Sequence, residues 1–124
     1  MDFKLELVAI PVTDVDRAKD FYVRAGFNAD HDHRVSDDLR FVQLTPAGSA
    51  CSICIGEGIT DAEPGSVGGM QCVVADASAA REFLLGAGIE ASAVDEQPWG
   101  RCVHFADPEG NAWALQQLVS VAGV

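Results

Sequence analysis

Val12-Thr13-Asp14-Val15-Asp16-Arg17-Ala18-Lys19-Asp20-Phe21-Tyr22-Val23-Arg24-Ala25-Gly26 is answered 62 residues later by Val74-Ala75-Asp76-Ala77-Ser78-Ala79-Ala80-Arg81-Glu82-Phe83-Leu84-Leu85-Gly86-Ala87-Gly88. Val12, Asp14, Ala18, Phe21, Ala25 and Gly26 recur unchanged, while Lys19 to Arg81 and Asp20 to Glu82 keep the sign of charge. A repeat at a fixed offset means two copies of one supersecondary unit. In each copy an aspartate stands where its side-chain oxygen caps a helix, and a glycine stands where the helix stops. Between them Val15, Ala18, Phe21, Tyr22 and Ala25, and their counterparts Ala77, Ala80, Phe83, Leu84 and Ala87, recur at helical spacing as an apolar stripe.

Outward from the helices the period changes from 3.6 to two. Residues 5–13 and 72–75 read as the strands that lead in. Residues 27–35, 40–45 and 51–56 follow the first helix, with a turn at 46–49. Residues 89–94, 101–106 and 112–118 follow the second, with a turn at 107–111. The two turns echo each other, as Pro46 and Gly48 meet Pro108 and Gly110. Each half is therefore β-α-β-β-β, an α+β arrangement whose sheet is rich in antiparallel pairs and carries its helix on one face. The other face is left to line a cavity. Residues 57–66, with Gly58, Asp61, Pro64 and Gly65, break both periods and read as a linker.

The totals narrow the function classes. At 124 residues the chain suits one domain with a real core, and 48% hydrophobic residues exclude disorder. A net charge of -11 disfavours nucleic acid and anionic membrane surfaces, and favours a cationic ligand. The apolar runs are too short for a membrane span and the start does not read as a signal peptide, so a cytoplasmic protein is expected. Cys51, Cys54, Cys72 and Cys102 lie in apolar strands, where reduced thiols pack as small hydrophobes.

Two β-α-β-β-β modules closed by His104-Phe105-Ala106-Asp107-Pro108-Glu109-Gly110-Asn111-Ala112-Trp113-Ala114-Leu115-Gln116 resemble the vicinal oxygen chelate superfamily of glyoxalase I, bleomycin-resistance proteins and extradiol dioxygenases. The resemblance runs from Leu7 to about Gln117, and its most specific piece is the Asp-Pro-Glu-Gly-Asn turn. It implies one domain over 1–124, with module 1 at about 1–57, a linker at about 58–66 and module 2 at about 67–120. It also implies two tandem βαβββ modules forming an open barrel-like mixed sheet with helices on the outer face. In metal-dependent members four ligands come from the first and last strands of each module. Those positions fall here on Leu7, on Gly69, on Ser52 or Cys54, and on Ala114, of which only Cys54 is a plausible ligand. A catalytic divalent ion wants at least three side-chain donors, so no metal and no cofactor is expected. The metal-free branch so implied is the bleomycin-resistance type, a homodimer that sequesters a small molecule in a cavity.

Several residues are candidates for the ligand site. His104 is placed to hydrogen-bond a ligand or move a proton, and Cys102 shares its strand face. Trp99, in a loop, is suited to lid a flat or cationic ligand. Arg40 and Gln43 compete for the cavity in the first module, since the strand register there is open by one residue. Trp113 reads as core. His31 and His33, with Asp30 and Asp32, read as a polar edge or as donors clipping a metal from one strand face. The leading expectation is a drug-sequestering or carrier protein. The alternatives are a lyase or isomerase with His104 as acid or base, a dioxygenase-like enzyme with a non-standard metal site, or a dimer whose barrel is filled by side chains such as Leu7 and Val42.

Overall fold

The computed structural model describes residues 1–119. The chain divides into two compact units, Met1–Val67 together with Asp107–Asn111, and Gly68–Ala106 together with the chain from Ala112 onward.

The first unit holds β1 (Leu7–Ala9), α1 (Val15–Arg24), β2 (Phe27–Ser36), β3 (Leu39–Pro46) and β4 (Ser52–Glu57). Its sheet has the order β1-β4-β3-β2, with β1 parallel to β4 and the other pairs antiparallel. α1 starts where the repeat places it, since the Asp14 side chain accepts from the Arg17 N–H. Gly26 follows the helix at φ 98°, a left-handed position that costs glycine little. Val15, Ala18, Phe21 and Tyr22 pack on a sheet face made by Val42, Leu44, Ile53 and Ile55, all buried.

The turn Asp107–Asn111 belongs to this first unit and is tied into it by side chains. Asp107 accepts from the Tyr22 hydroxyl at 2.8 Å, the Asn111 side-chain amide at 2.8 Å, and the Glu109 and Asn111 N–H groups at 3.0 Å each. Asn111, fully buried, donates to the Pro11 carbonyl and accepts from the Val67 N–H. Glu109 accepts from the Thr13 hydroxyl and from the N–H groups of Thr13 and Asp14. Burial pushes the Glu109 carboxyl up, but these hydrogen bonds and the charge of Arg17 outweigh it and hold the group below the usual carboxylate range.

The second unit holds β5 (Met70–Val73), α2 (Ala77–Gly86), β6 (Asp95–Gln97), β7 (Gly100–Ala106) and β8 (Ala112–Leu118). Its sheet repeats the first, in the order β5-β8-β7-β6 with β5 parallel to β8. Asp76 caps α2 through the Ala79 N–H. Trp113 is core, stacked on Phe105 with ring centroids 6.1 Å apart.

Three expectations need correction. The leading strand of the first unit is only Leu7–Ala9, shorter than residues 5–13: its parallel partner β4 begins at Ser52, opposite Leu7, and at the other end Pro11 has no N–H to carry the ladder on. Residues 89–94 do not form a strand. Ser92 donates its N–H to the His104 carbonyl while its hydroxyl accepts from the His104 N–H, so a side chain replaces a ladder carbonyl and regular pairing begins only at β6. Phe83 is not in the buried stripe of α2. Leu84 takes the buried position and Phe83, about 100° around the helix, is 55% exposed.

Candidate functional site

The pairing register sorts the side chains, because cross-strand partners share a face. In the first sheet Gln43 lies opposite Cys54, Leu7 opposite Ser52 and Ala9 opposite Cys54, and these occupy the face that α1 does not cover. His31 and His33 of β2 join that open face opposite Gln43 and Phe41. Arg40 has the other parity. Its guanidinium pairs with Asp16 of α1 at 2.9 Å and with Asp32 at 2.9 Å, and Lys19 shares Asp32 at 2.8 Å. The hydrogen bonds from Arg40, then from Lys19, hold the Asp32 carboxyl far below the usual range. The competition between Arg40 and Gln43 is thus resolved by register, with Gln43 on the open face.

A polar chain crosses this open face. The Asp30 carboxylate accepts from the Thr45 hydroxyl, Thr45 lies 2.6 Å from the Ser52 hydroxyl, and Gln43 Nε2 donates to Ser52 at 3.4 Å. Because Thr45 donates its single hydroxyl proton to Asp30, every proton in the chain points toward Asp30. Thr45 therefore accepts from Ser52. The sequence reading missed Thr45 and gave Asp30 only as part of a polar edge or as a metal donor beside His31 and His33. The signal for Thr45 was the period of two through Phe41, Gln43 and Thr45, which becomes readable only once Gln43 is known to face outward. Cys54 lies beside this chain, and burial pushes its thiol up, so it packs rather than reacts.

In the second sheet His104 lies opposite Ala114 and Cys102 opposite Gln116, all on the face that α2 does not cover. The His104 ring is exposed, whereas Cys102 is buried. Burial, reinforced by the charge of Asp95 opposite it, pushes the Cys102 thiol up, which opposes a nucleophilic role. Trp99, in the turn between β6 and β7, is 62% exposed and its carbonyl accepts from the Val119 N–H at 3.1 Å.

The two units place their candidates in register. Helix caps at Asp14 and Asp76 make Ala9 the counterpart of Gln71. Ala9 pairs with Cys54 and Gln71 pairs with Ala114, so Cys54, rather than Ser52, is the counterpart of Ala114. One strand further in, Gln43 is the counterpart of His104, since each faces that same position. Arg40 corresponds to Arg101, which pairs with Glu96 at 2.9 Å.

The metal-ligand positions of the resemblance carry an aliphatic side chain at Leu7, none at Gly69, a methyl group at Ala114 and one thiol at Cys54. That donor set does not fit a catalytic divalent ion. Among the described residues no group of three or more His, Cys, Asp or Glu is placed to hold a metal. Among the described residues, one cleft of about 300 Å³ opens near Thr13, Glu57 and Asp61 and another of about 240 Å³ near Ser78, Arg81 and Val94. None of the expected site residues lines either of them.

The model of the glyoxalase/bleomycin resistance protein/dioxygenase superfamily matches residues 4–115. The chain belongs to that superfamily. No curated protein matches it. Among solved structures, this superfamily member is similar to TnmS3, an antibiotic binding protein from Streptomyces sp. CB03234, at 31% identity and a TM-score of 0.86 over 95% of this chain and 98% of that one. A glyoxalase/bleomycin resistance protein from the same Streptomyces matches at 32% identity and a TM-score of 0.80, over 92% of this chain and 100% of the other. A superfamily member from Sphaerobacter thermophilus DSM 20745 matches at 27% and 0.81, over 94% and 98%. The Asp-Pro-Glu-Gly-Asn turn through which the family was legible is, in this superfamily member, a structural clasp.

Proposed function

We propose that this protein binds a small molecule, cationic or aromatic, and sequesters or carries it without transforming it, acting as a cytoplasmic homodimer without a catalytic metal. The observation that carries the reading is the makeup of the open face of the first sheet. Where the metal-dependent branch needs ligands, this face offers Leu7 and Cys54. Beside them runs a fixed hydrogen-bonding chain that presents Gln43 as an oriented polar group among apolar neighbours, a pattern typical of binding sites. His104 and Trp99 supply an exposed imidazole and an exposed aromatic in the second unit. The net charge of -11 favours a cation, and similarity to an antibiotic binding protein over nearly the whole chain supports the ligand class. No helix among the described residues is long and apolar enough to cross a membrane.

The test is a tryptophan-fluorescence and thermal-shift titration with a panel of cationic and aromatic antibiotics. A saturable ligand is expected to raise stability and return unchanged by mass spectrometry. Gln43→Ala is expected to weaken it by about tenfold, the value of a lost oriented hydrogen bond. Conversion of the bound compound would overturn the reading in favour of a lyase or isomerase, with His104 as the group to test.

A further inference from the structure

We infer that His31 and His33 form a two-imidazole site for a borderline divalent transition-metal ion, of the Cu²⁺, Ni²⁺ or Zn²⁺ class, on strand β2. The two side chains leave the strand on one face, two residues apart, and their rings stack with centroids 5.7 Å apart and planes 24° from parallel. An imidazole bound at 2.0–2.1 Å puts its ring centre about 3.2 Å from the metal, so two rings at a tetrahedral angle have centres about 5.2 Å apart. The observed separation is within about 0.5 Å of that figure, and the broad χ2 well of histidine lets a nitrogen of each ring turn toward a shared ion without backbone movement. Water completes the coordination.

The electrostatics of β2 and β3 agree. Arg34 and Arg40 lie opposite each other with the parity of the helix face, so neither cation shares the histidine face. Asp32, between the histidines, turns to that helix face under the pull of Arg40 and Lys19, and Asp30 is held by Thr45. Among the described residues no Asp, Glu or Cys joins the two histidines in a group of three, so the donor set is imidazole nitrogen, which selects ions of this class over Mg²⁺ or Ca²⁺. None of the four ligand positions implied by the superfamily takes part, and the site carries no catalytic step.

The test is calorimetric titration of the full chain with NiCl₂ or ZnSO₄ alone near neutral pH, with imidazole NMR signals followed in parallel. One ion per chain is expected, with the His31 and His33 signals shifting and that of His104 unmoved. His31→Ala and His33→Ala, both at exposed positions, are each expected to weaken binding by about tenfold or more, because the second donor acts as an intramolecular ligand. Asp32→Asn is expected to leave it within about twofold. Binding that survives both histidine substitutions, or absence of binding with unmoved histidine signals in the wild type, would overturn the site.

Discussion

Removing the Asp107 carboxylate is expected to cost the protein a large part of its stability. Asp107 is 4% exposed and accepts four hydrogen bonds, from the Tyr22 hydroxyl, the Asn111 side chain and two backbone N–H groups. In Asp107→Ala the Glu109 N–H, in the partly exposed part of the turn, finds water. The Tyr22 hydroxyl and the two Asn111 donors, backbone and side chain, do not, since both residues are fully buried. Each stranded buried donor costs about 1–3 kcal/mol, so the three place the substitution at a minimum of about 3 kcal/mol. For a domain of this size that is a fall in Tm of roughly 10–20 °C. Tyr22→Phe removes one donor and keeps the ring against Phe21 and Phe27, so about 1 kcal/mol is expected. Combined with Asp107→Ala, it is expected to cost less than it does alone, because the hydroxyl has already lost its bond to Asp107. The assay is urea unfolding of the four proteins followed by circular dichroism, with equal slopes as the check that only stability changed. An Asp107→Ala protein within about 1 kcal/mol of wild type, or a Tyr22→Phe effect undiminished in the double variant, would refute the reading of this turn as a clasp.

Other outcomes follow from the same geometry. Glu109→Gln is expected to lose about 1–2 kcal/mol. Because the folded carboxyl is held below its ordinary value, Glu109's contribution is fully present above the unfolded pKa of about 4.3 and fades as pH falls below it; a wild type and variant whose stability difference does not shrink in acid would contradict this. Gly65→Ala would put a Cβ 2.0 Å from the Glu109 carbonyl at φ 78°, and should cost at least about 2 kcal/mol in the same unfolding assay. Alkylation under native conditions, mapped by peptide mass spectrometry, should modify the half-exposed Cys51 and Cys72 before Cys54 and Cys102, whose thiols are buried and pushed up; early labelling of Cys102 would reopen a reactive role for it.

What was legible in the sequence was whatever depended on local chemistry. Asp14 and Asp76 start helices by side-chain geometry that needs no partner, and Gly26 and Gly88 end them at left-handed φ. What stayed hidden depended on counting across turns. The offset of 62 holds through both helices, but Gln43 answers His104 one residue short of it and Cys54 answers Ala114 two short. Counting from the proline turns therefore left Ser52 and Cys54 both open, and only the pairing of Ala9 with Cys54 decides between them. Arg40 and Gln43, three apart on β3, must take opposite faces, and only the pairing of Gln43 with Cys54 and the ion pair of Arg40 with Asp16 decide which of them takes the open one. Ser92 was missed because a hydroxyl standing in for a ladder carbonyl leaves no mark on periodicity.

The clasp at residues 107–111 has a consequence for the order of events during synthesis. The first unit closes with residues that leave the ribosome only after the second unit up to Ala106, all of its strands but β8, has been made. Its helix and hairpins are able to form early, but Pro11, Thr13 and Tyr22 wait for partners some 85 to 100 positions downstream. Such distant closure slows folding relative to a chain of local contacts. It also means that a sequence with the marks of an ancient duplication no longer behaves as two independent halves. A ribosome that stalls midway releases a fragment in which the Pro11 carbonyl and the Tyr22 hydroxyl lack their bonds to the clasp, which makes incomplete copies easy targets for proteolysis.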